Sequence, residues 1–190
     1  MRGKKSVFIT LVVVFLSSGF STASAGMPVL RFMAGGGYTL VNFEKASDYP
    51  DSSLENWDQV NYSFALQALW RMAPKIRLGA EAGWEQLYYW YYIIPYGYSP
   101  VYREANWATV YAGGIAQVFL THGLYVLGGV DLHSFSGDGT ALGVSGAIGT
   151  EIRLSSMLAL PVEFRIKPVL GKGTPTVLQI NIGLAWGTGN

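Results

Sequence analysis

Asp131 and His133 stand two residues apart, so in an extended strand both side chains fall on one face, where a carboxylate can orient an imidazole. Ser145, on a neighbouring strand in the reading below, completes the raw material of a hydrolytic site. The chain offers little else of this kind. Two histidines, of which the other is His122, and no cysteine leave no transition-metal site, and no cofactor is implied. Gly35-Gly36-Gly37 has no helix after it, so it marks close packing or a bulge, not a phosphate loop. Any closed sheet with a few polar inner residues can bring such a trio together by coincidence. The expectation is therefore a protein that is not an enzyme, with no catalytic residue assigned.

The elements that would hold these residues begin after the first 25 positions. Arg2, Lys4 and Lys5 precede an apolar stretch from Val7 to Leu16, and Ala23-Ser24-Ala25 closes it with small residues. That order is the pattern of a cleaved export signal, removed before Gly26. The stretch is shorter than the ~20 residues a membrane helix requires. One domain, 26–190, would remain, and without those three cations the formal charge falls from +1 to −2. So weak a charge lacks the footprint of a nucleic-acid binder. Without cysteine there is neither a disulfide nor a thiol for lipidation.

From residue 29 onward the chain alternates with a period of two, the mark of strands with unlike faces. Leu178, Ile180, Ile182, Leu184 and Trp186 oppose Gln179, Asn181, Gly183 and Ala185; Tyr62, Phe64, Leu66 and Trp70 oppose Asn61, Ser63, Gln67 and Arg71. The same reading gives strands near 29–41, 60–72, 76–87, 106–120, 124–133, 141–154, 157–167 and 176–186. Pro161 interrupts the seventh, where a bulge or an open register is expected. Short links at 73–75, 121–123 and 155–156 alternate with longer ones at 42–59, 88–105, 134–140 and 168–175. Among β-barrels this alternation of short turns and long loops belongs to those that span a membrane. The predicted class is all-β: an eight-stranded antiparallel up-and-down transmembrane barrel.

The charges set which face meets lipid. Arg31, Arg71, Arg77, Glu81, Glu85, Asp131, Glu151, Arg153, Glu163, Arg165 and Lys167 lie inside the proposed strands, and where a strand carries several they share one face. The rest of that face is small: Gly79, Gly83, Gly129, Gly143, Ser145, Ala147 and Gly149 among others. Small residues suit the inside of eight strands, which leave just enough room for side chains. A soluble lipocalin-like barrel of the periplasm, the alternative, would pack the tryptophans, phenylalanines and leucines inside and overfill it. A Lys or Arg facing mid-bilayer costs ~2–4 kcal/mol, so the charged face is expected inward. With six positive and five negative strand charges, a paired lumen network of Arg31, Arg71, Arg77, Glu81, Glu85, Asp131, Glu151, Arg153, Glu163 and Arg165 follows. It would fill the barrel in preference to conducting ions.

With its export signal, eight alternating strands and short-turn, long-loop order, the chain resembles the small outer-membrane barrels of the OmpA membrane domain and OmpX type. The resemblance covers the whole mature chain and is architectural. It implies a cell outer-membrane location, partners in membrane lipid, lipopolysaccharide and the barrel assembly machinery, and a role in the envelope or in surface interaction. Members commonly end on an aromatic residue; here Trp186 is followed by Gly187-Thr188-Gly189-Asn190. Some such barrels modify lipid A, which keeps the Asp131–His133–Ser145 trio as the enzymatic alternative.

Seven of the twelve tyrosines fall between Tyr88 and Tyr102, with Trp90 among them. Tyr88 to Tyr92 read as an extension of the third strand through the headgroup layer. Tyr96, Tyr98 and Tyr102, broken by Pro95, Gly97 and Pro100, are the candidate surface-binding loop, its ligand open. Glu44, Asp48, Asp51, Glu55 and Asp58 make the first long connection acidic, which reads as a solvated face.

Overall fold

The computed structural model describes residues 27–40, 56–58, 60–96, 99–135, 139–170 and 175–187, of which 56–58 and 88–107 are described by their backbone pairing. The proposed export signal and most of the acidic first connection lie outside the described residues. Strands are β1 (Val29–Leu40), β2 (Asn56–Asp58), β3 (Val60–Ala73), β4 (Ile76–Tyr96), β5 (Ser99–Phe119), β6 (Leu124–Phe135), β7 (Gly139–Arg153), β8 (Leu158–Leu170) and β9 (Thr176–Trp186). Every pairing is antiparallel. Consecutive long strands are neighbours, and β1 pairs with β9 to close the ring. Eight strands thus form a closed up-and-down barrel. The three-residue β2 pairs only with β4, beyond the end of β3.

Closure leaves each strand an inner and an outer face, and the alternation of residue type assigns them. Outside stand Leu66, 64 % exposed, Ile180 at 58 % and Phe32 at 52 %. Inside, Arg31, Glu85, Glu163 and Lys167 are buried to 1 % or less. A soluble barrel would show the reverse, and an apolar surface that continuous is stable only against lipid. The lipocalin-like alternative is thereby set aside.

One end of the barrel is tightly turned. Leu120 and Leu154 donate their amides to the carbonyls of Leu124 and Leu158, each at 2.9 Å, and Ser155 Oγ accepts from the amides of Met157 and Leu158. A hydroxyl in such a turn replaces ladder partners that the chain reversal removes. The other end departs from the expected boundaries. The connection expected at 88–105 is a hairpin, with β4 running to Tyr96 and β5 starting at Ser99. The pairing shifts register between Gln86 and Tyr88, a bulge at Leu87. Past this point the run Tyr88-Tyr89-Trp90-Tyr91-Tyr92 carries no period-two alternation, which is why the strands look shorter in the sequence. The connections at 134–140 and 168–175 shrink too: β6 reaches Phe135, β8 reaches Leu170, and Gly139 takes a positive φ of 94° where β7 begins.

The prolines open the ladder without bulging it. Along the β8–β9 seam, Ala159 pairs with Ala185 and Val162 with Ile182, one continuous register with a gap at 160–161. Along β7–β8 the gap falls at 167–168, again with unchanged register. Amides of successive strand residues point to alternate sides, so Pro161 removes a donor toward β9 and Pro168 one toward β7.

Candidate functional site

The inner face of a narrow barrel is crowded, and glycines make room for its large residues. A Cβ at Gly149 would collide with the ring and hydroxyl of Tyr125, and one at Gly83 with the ring of Tyr111. These absences let two tyrosines lie across the lumen, both almost fully buried.

Around them the ionic residues form two hydrogen-bonded groups, one centred on Arg31 and Arg165 and one on Lys167. Near the tight-turn end, Arg31 and Arg77 both bond Glu151 Oε1, Arg77 at 2.7 Å. Arg31 also reaches Gln67 at 3.3 Å and Glu163 at 3.5 Å. Arg77 is 3.4 Å from Gln117 Oε1, and its guanidinium lies 4.7 Å from the Phe119 ring centre. Glu163 accepts from the Tyr125 hydroxyl at 2.9 Å and from Arg165 at 2.9 Å. Arg165 then crosses to Glu81, which also accepts from Gln67 Nε2 at 2.5 Å. Higher up, Lys167 Nζ meets Glu85 at 2.8 Å and stands 3.8 Å over the Tyr111 ring. Glu85 takes a second hydrogen bond from Gln179, which accepts one from Ser63. Burial makes an isolated charge costly, and here each charge of the two groups has a counter-charge, while Arg31, Arg77, Glu81, Glu85 and Glu163 each have a neutral partner as well. Such contacts tie opposite walls together across the lumen.

Eight of the ten residues expected in the network lie inside: Arg31, Arg77, Glu81, Glu85, Asp131, Glu151, Glu163 and Arg165. Arg71 and Arg153 are exposed at the tight-turn rim, because both strands outrun the filled lumen there. Lys167 joins the network, and so do Gln67, Gln117, Gln179 and Tyr125. Their sequence signal is parity alone: they share the inward phase of their strands with the charges.

Asp131 is placed differently from the other lumen carboxylates. Its neighbour is His133, whose Nε2 is 2.5 Å from Oδ1, close but outside hydrogen-bond geometry. His133 is fully buried and stacks on Tyr111, ring centres 5.3 Å apart. Ser145 is also buried, but its register partner on β6 is Gly129, while Asp131 faces Gly143. Among the described residues neither imidazole nitrogen has a hydrogen-bond partner, and nor does Ser145 Oγ. The serine–histidine link of nucleophilic catalysis is not formed.

At the opposite end, the β4–β5 hairpin extends past the last β5–β6 pair, Thr109–Phe135. Tyr96 is paired with Ser99 and Tyr102 with Ile93 by their backbones, while Tyr98 lies outside the described residues. Trp57 of β2 is in register with Trp90, which is in register with Ala105.

No protein-family model matches the chain, and no curated protein does. Among solved structures it is similar to Neisserial surface protein A (NspA), at 13 % identity over 87 % of this chain and 99 % of that one, with a TM-score of 0.58. Looser likenesses are a de novo designed transmembrane β-barrel (13 % identity, 84 % and 93 % covered, TM-score 0.45) and Ail, the attachment invasion locus protein of Yersinia pestis (10 %, 84 % and 95 %, 0.42). Closed topology, inverted faces and the NspA likeness together define the fold as that of a small eight-stranded outer-membrane β-barrel. The expectation of a small eight-stranded outer-membrane barrel holds at the level of fold, without singling out the OmpA and OmpX type.

Proposed function

We propose that the chain is exported to the cell outer membrane, spans it as a filled barrel, and works without catalysis as an envelope protein whose β4–β5 hairpin faces outward for surface interaction. The observation that carries this reading is the inversion of faces: leucine, isoleucine and aromatic residues outside, a paired ionic network inside. In this reading residues 1–25 are the export signal, cleaved before Gly26. The barrel assembly machinery inserts 26–190, and membrane lipid and lipopolysaccharide are its surroundings. The aromatic composition of 88–102 supports a recognition role for Tyr96, Tyr98 and Tyr102, since tyrosine combines contact area with a polar handle.

Fractionation followed by denaturing electrophoresis tests the proposal. The mature protein is expected in the outer membrane, extractable only with detergent, and migrating differently before and after boiling. Recovery as a soluble periplasmic protein would overturn it. The surface role is read from deletion of 93–101: binding of reconstituted protein to glycan and protein arrays should vanish while heat-modifiable migration persists. Binding that survives the deletion removes the hairpin from the reading.

A further inference from the structure

The barrel segregates charge along its axis. Of the twelve acidic residues, five are the lumen carboxylates already described, and the other seven fall between residues 44 and 58, at 104 and at 138. In the chain all seven fall in or beside the long connections. None falls at the tight-turn end, where Arg71, Lys75 and Arg153 are all exposed. The nearest carboxylate, Glu151, is already shared by Arg31 and Arg77, and Arg77 is itself the register partner of Arg71. Among the described residues, no carboxylate forms an ion pair with these rim cations.

Their depth indicates what does balance them. Met72, Ile76, Leu120, Leu154 and Met157, each within about two residues of a rim cation or of a tight turn, and Trp186, in register with Leu158, are 40 % to 56 % exposed on the outer surface. The turns at 74–75, 120–123 and 154–157 are too short to project beyond that level. Apolar side chains at this height mark the edge of the hydrocarbon, so the cations lie at the layer of lipid phosphates. Long lysine and arginine stems let their heads reach that layer.

Resting on the membrane-spanning reading above, we propose that Arg71, Lys75 and Arg153 form a turn-end rim that binds the phosphate headgroups of anionic phospholipids. Phosphatidylglycerol is the simplest lipid of that class. Each exposed cation near an anionic surface is favourable by roughly 1 kcal/mol, an attraction that fades within a Debye length. The rim would draw a shell of anionic lipid around one end of the barrel and fix its depth.

The full mature chain, inserted in phosphatidylcholine vesicles, tests this with trace spin-labelled phosphatidylglycerol or phosphatidylcholine. At low salt the immobilised fraction should favour phosphatidylglycerol on the order of fivefold. The preference should fall to near parity in R71Q/K75Q/R153Q and at 1 M salt, and should persist in R103Q, at the other end. Should the triple variant not insert, the single variants R71Q and R153Q are each expected to lose part of the preference. No preference in the wild type, or an unchanged one in the variants, overturns the rim. Failure of the wild type to insert, read by unaltered migration on boiling, overturns the membrane reading instead.

Discussion

Arg165 and Glu81 stand on opposite walls of the barrel, β8 and β4, and close the lumen between them: Arg165 Nη1 lies 2.7 Å and 2.9 Å from the two carboxylate oxygens, while Nη2 holds Glu163 at 2.9 Å. Neither partner is more than 4 % exposed. Removing Arg165 leaves the Glu81 carboxylate away from water with Gln67 as its remaining donor, so Arg165→Gln should destabilise the barrel by about 3–5 kcal/mol, and Glu81→Gln, which leaves Arg165 its bond to Glu163, by less. The double change Glu81→Gln with Arg165→Gln should cost less than the sum of the singles, with a coupling of ~1–3 kcal/mol. Urea titration in vesicles, followed by the gel-migration difference, measures both. Additive singles would mean the pair is not a unit.

Gly149 and Tyr125 occupy one space. Because a Cβ at 149 meets the Tyr125 ring and the Val162 carbonyl, Gly149→Ala should cost about 1–3 kcal/mol through overpacking. Gly146, three residues earlier on β7, points outward, and a Cβ there meets nothing within 4 Å. Gly146→Ala is therefore the control, expected to be neutral or slightly stabilising. Part of the Gly149→Ala loss should return when Tyr125 is shortened to Leu. Equal losses at 149 and 146 would show that strand propensity, not lumen space, sets the cost.

Much of this architecture was legible in the sequence because period-two alternation is at once a local and a global signal. Phe32, Phe64, Leu66 and Ile180 had to share one face, and closing eight such strands made that face the outside. The lumen charges followed by the same parity. What parity does not carry is depth: Arg71 and Arg153 are in phase with the network, yet they sit past its last filled layer. Nor does it carry the extent of β4 and β5 beyond Leu87, where the bulge shifts register and the sequence runs through consecutive aromatic residues. The separate position of Asp131 and His133 depended on register between strands. A residue's own strand fixes its face, but only the pairing of β6 with β7 sets Asp131 opposite Gly143 and not opposite Ser145.

The direction of the faces can be tested by depth. Leu66 is 64 % exposed near the middle of the outer band, and its register partners Phe32 and Ala82 belong to the same band. Leu154 is 56 % exposed but lies in the β7–β8 turn. A soluble protein would tolerate arginine equally at two exposed sites. In a bilayer the two differ, since arginine at the midplane costs ~2–4 kcal/mol and close to ~0–1 kcal/mol at the interface. Leu66→Arg should therefore lower the unfolding free energy in vesicles by several-fold more than Leu154→Arg. In detergent micelles, where the apolar layer is thin and deformable, the gap should narrow. Equal effects in vesicles would place Leu66 outside the hydrocarbon and reverse the assignment of faces on which the membrane reading depends.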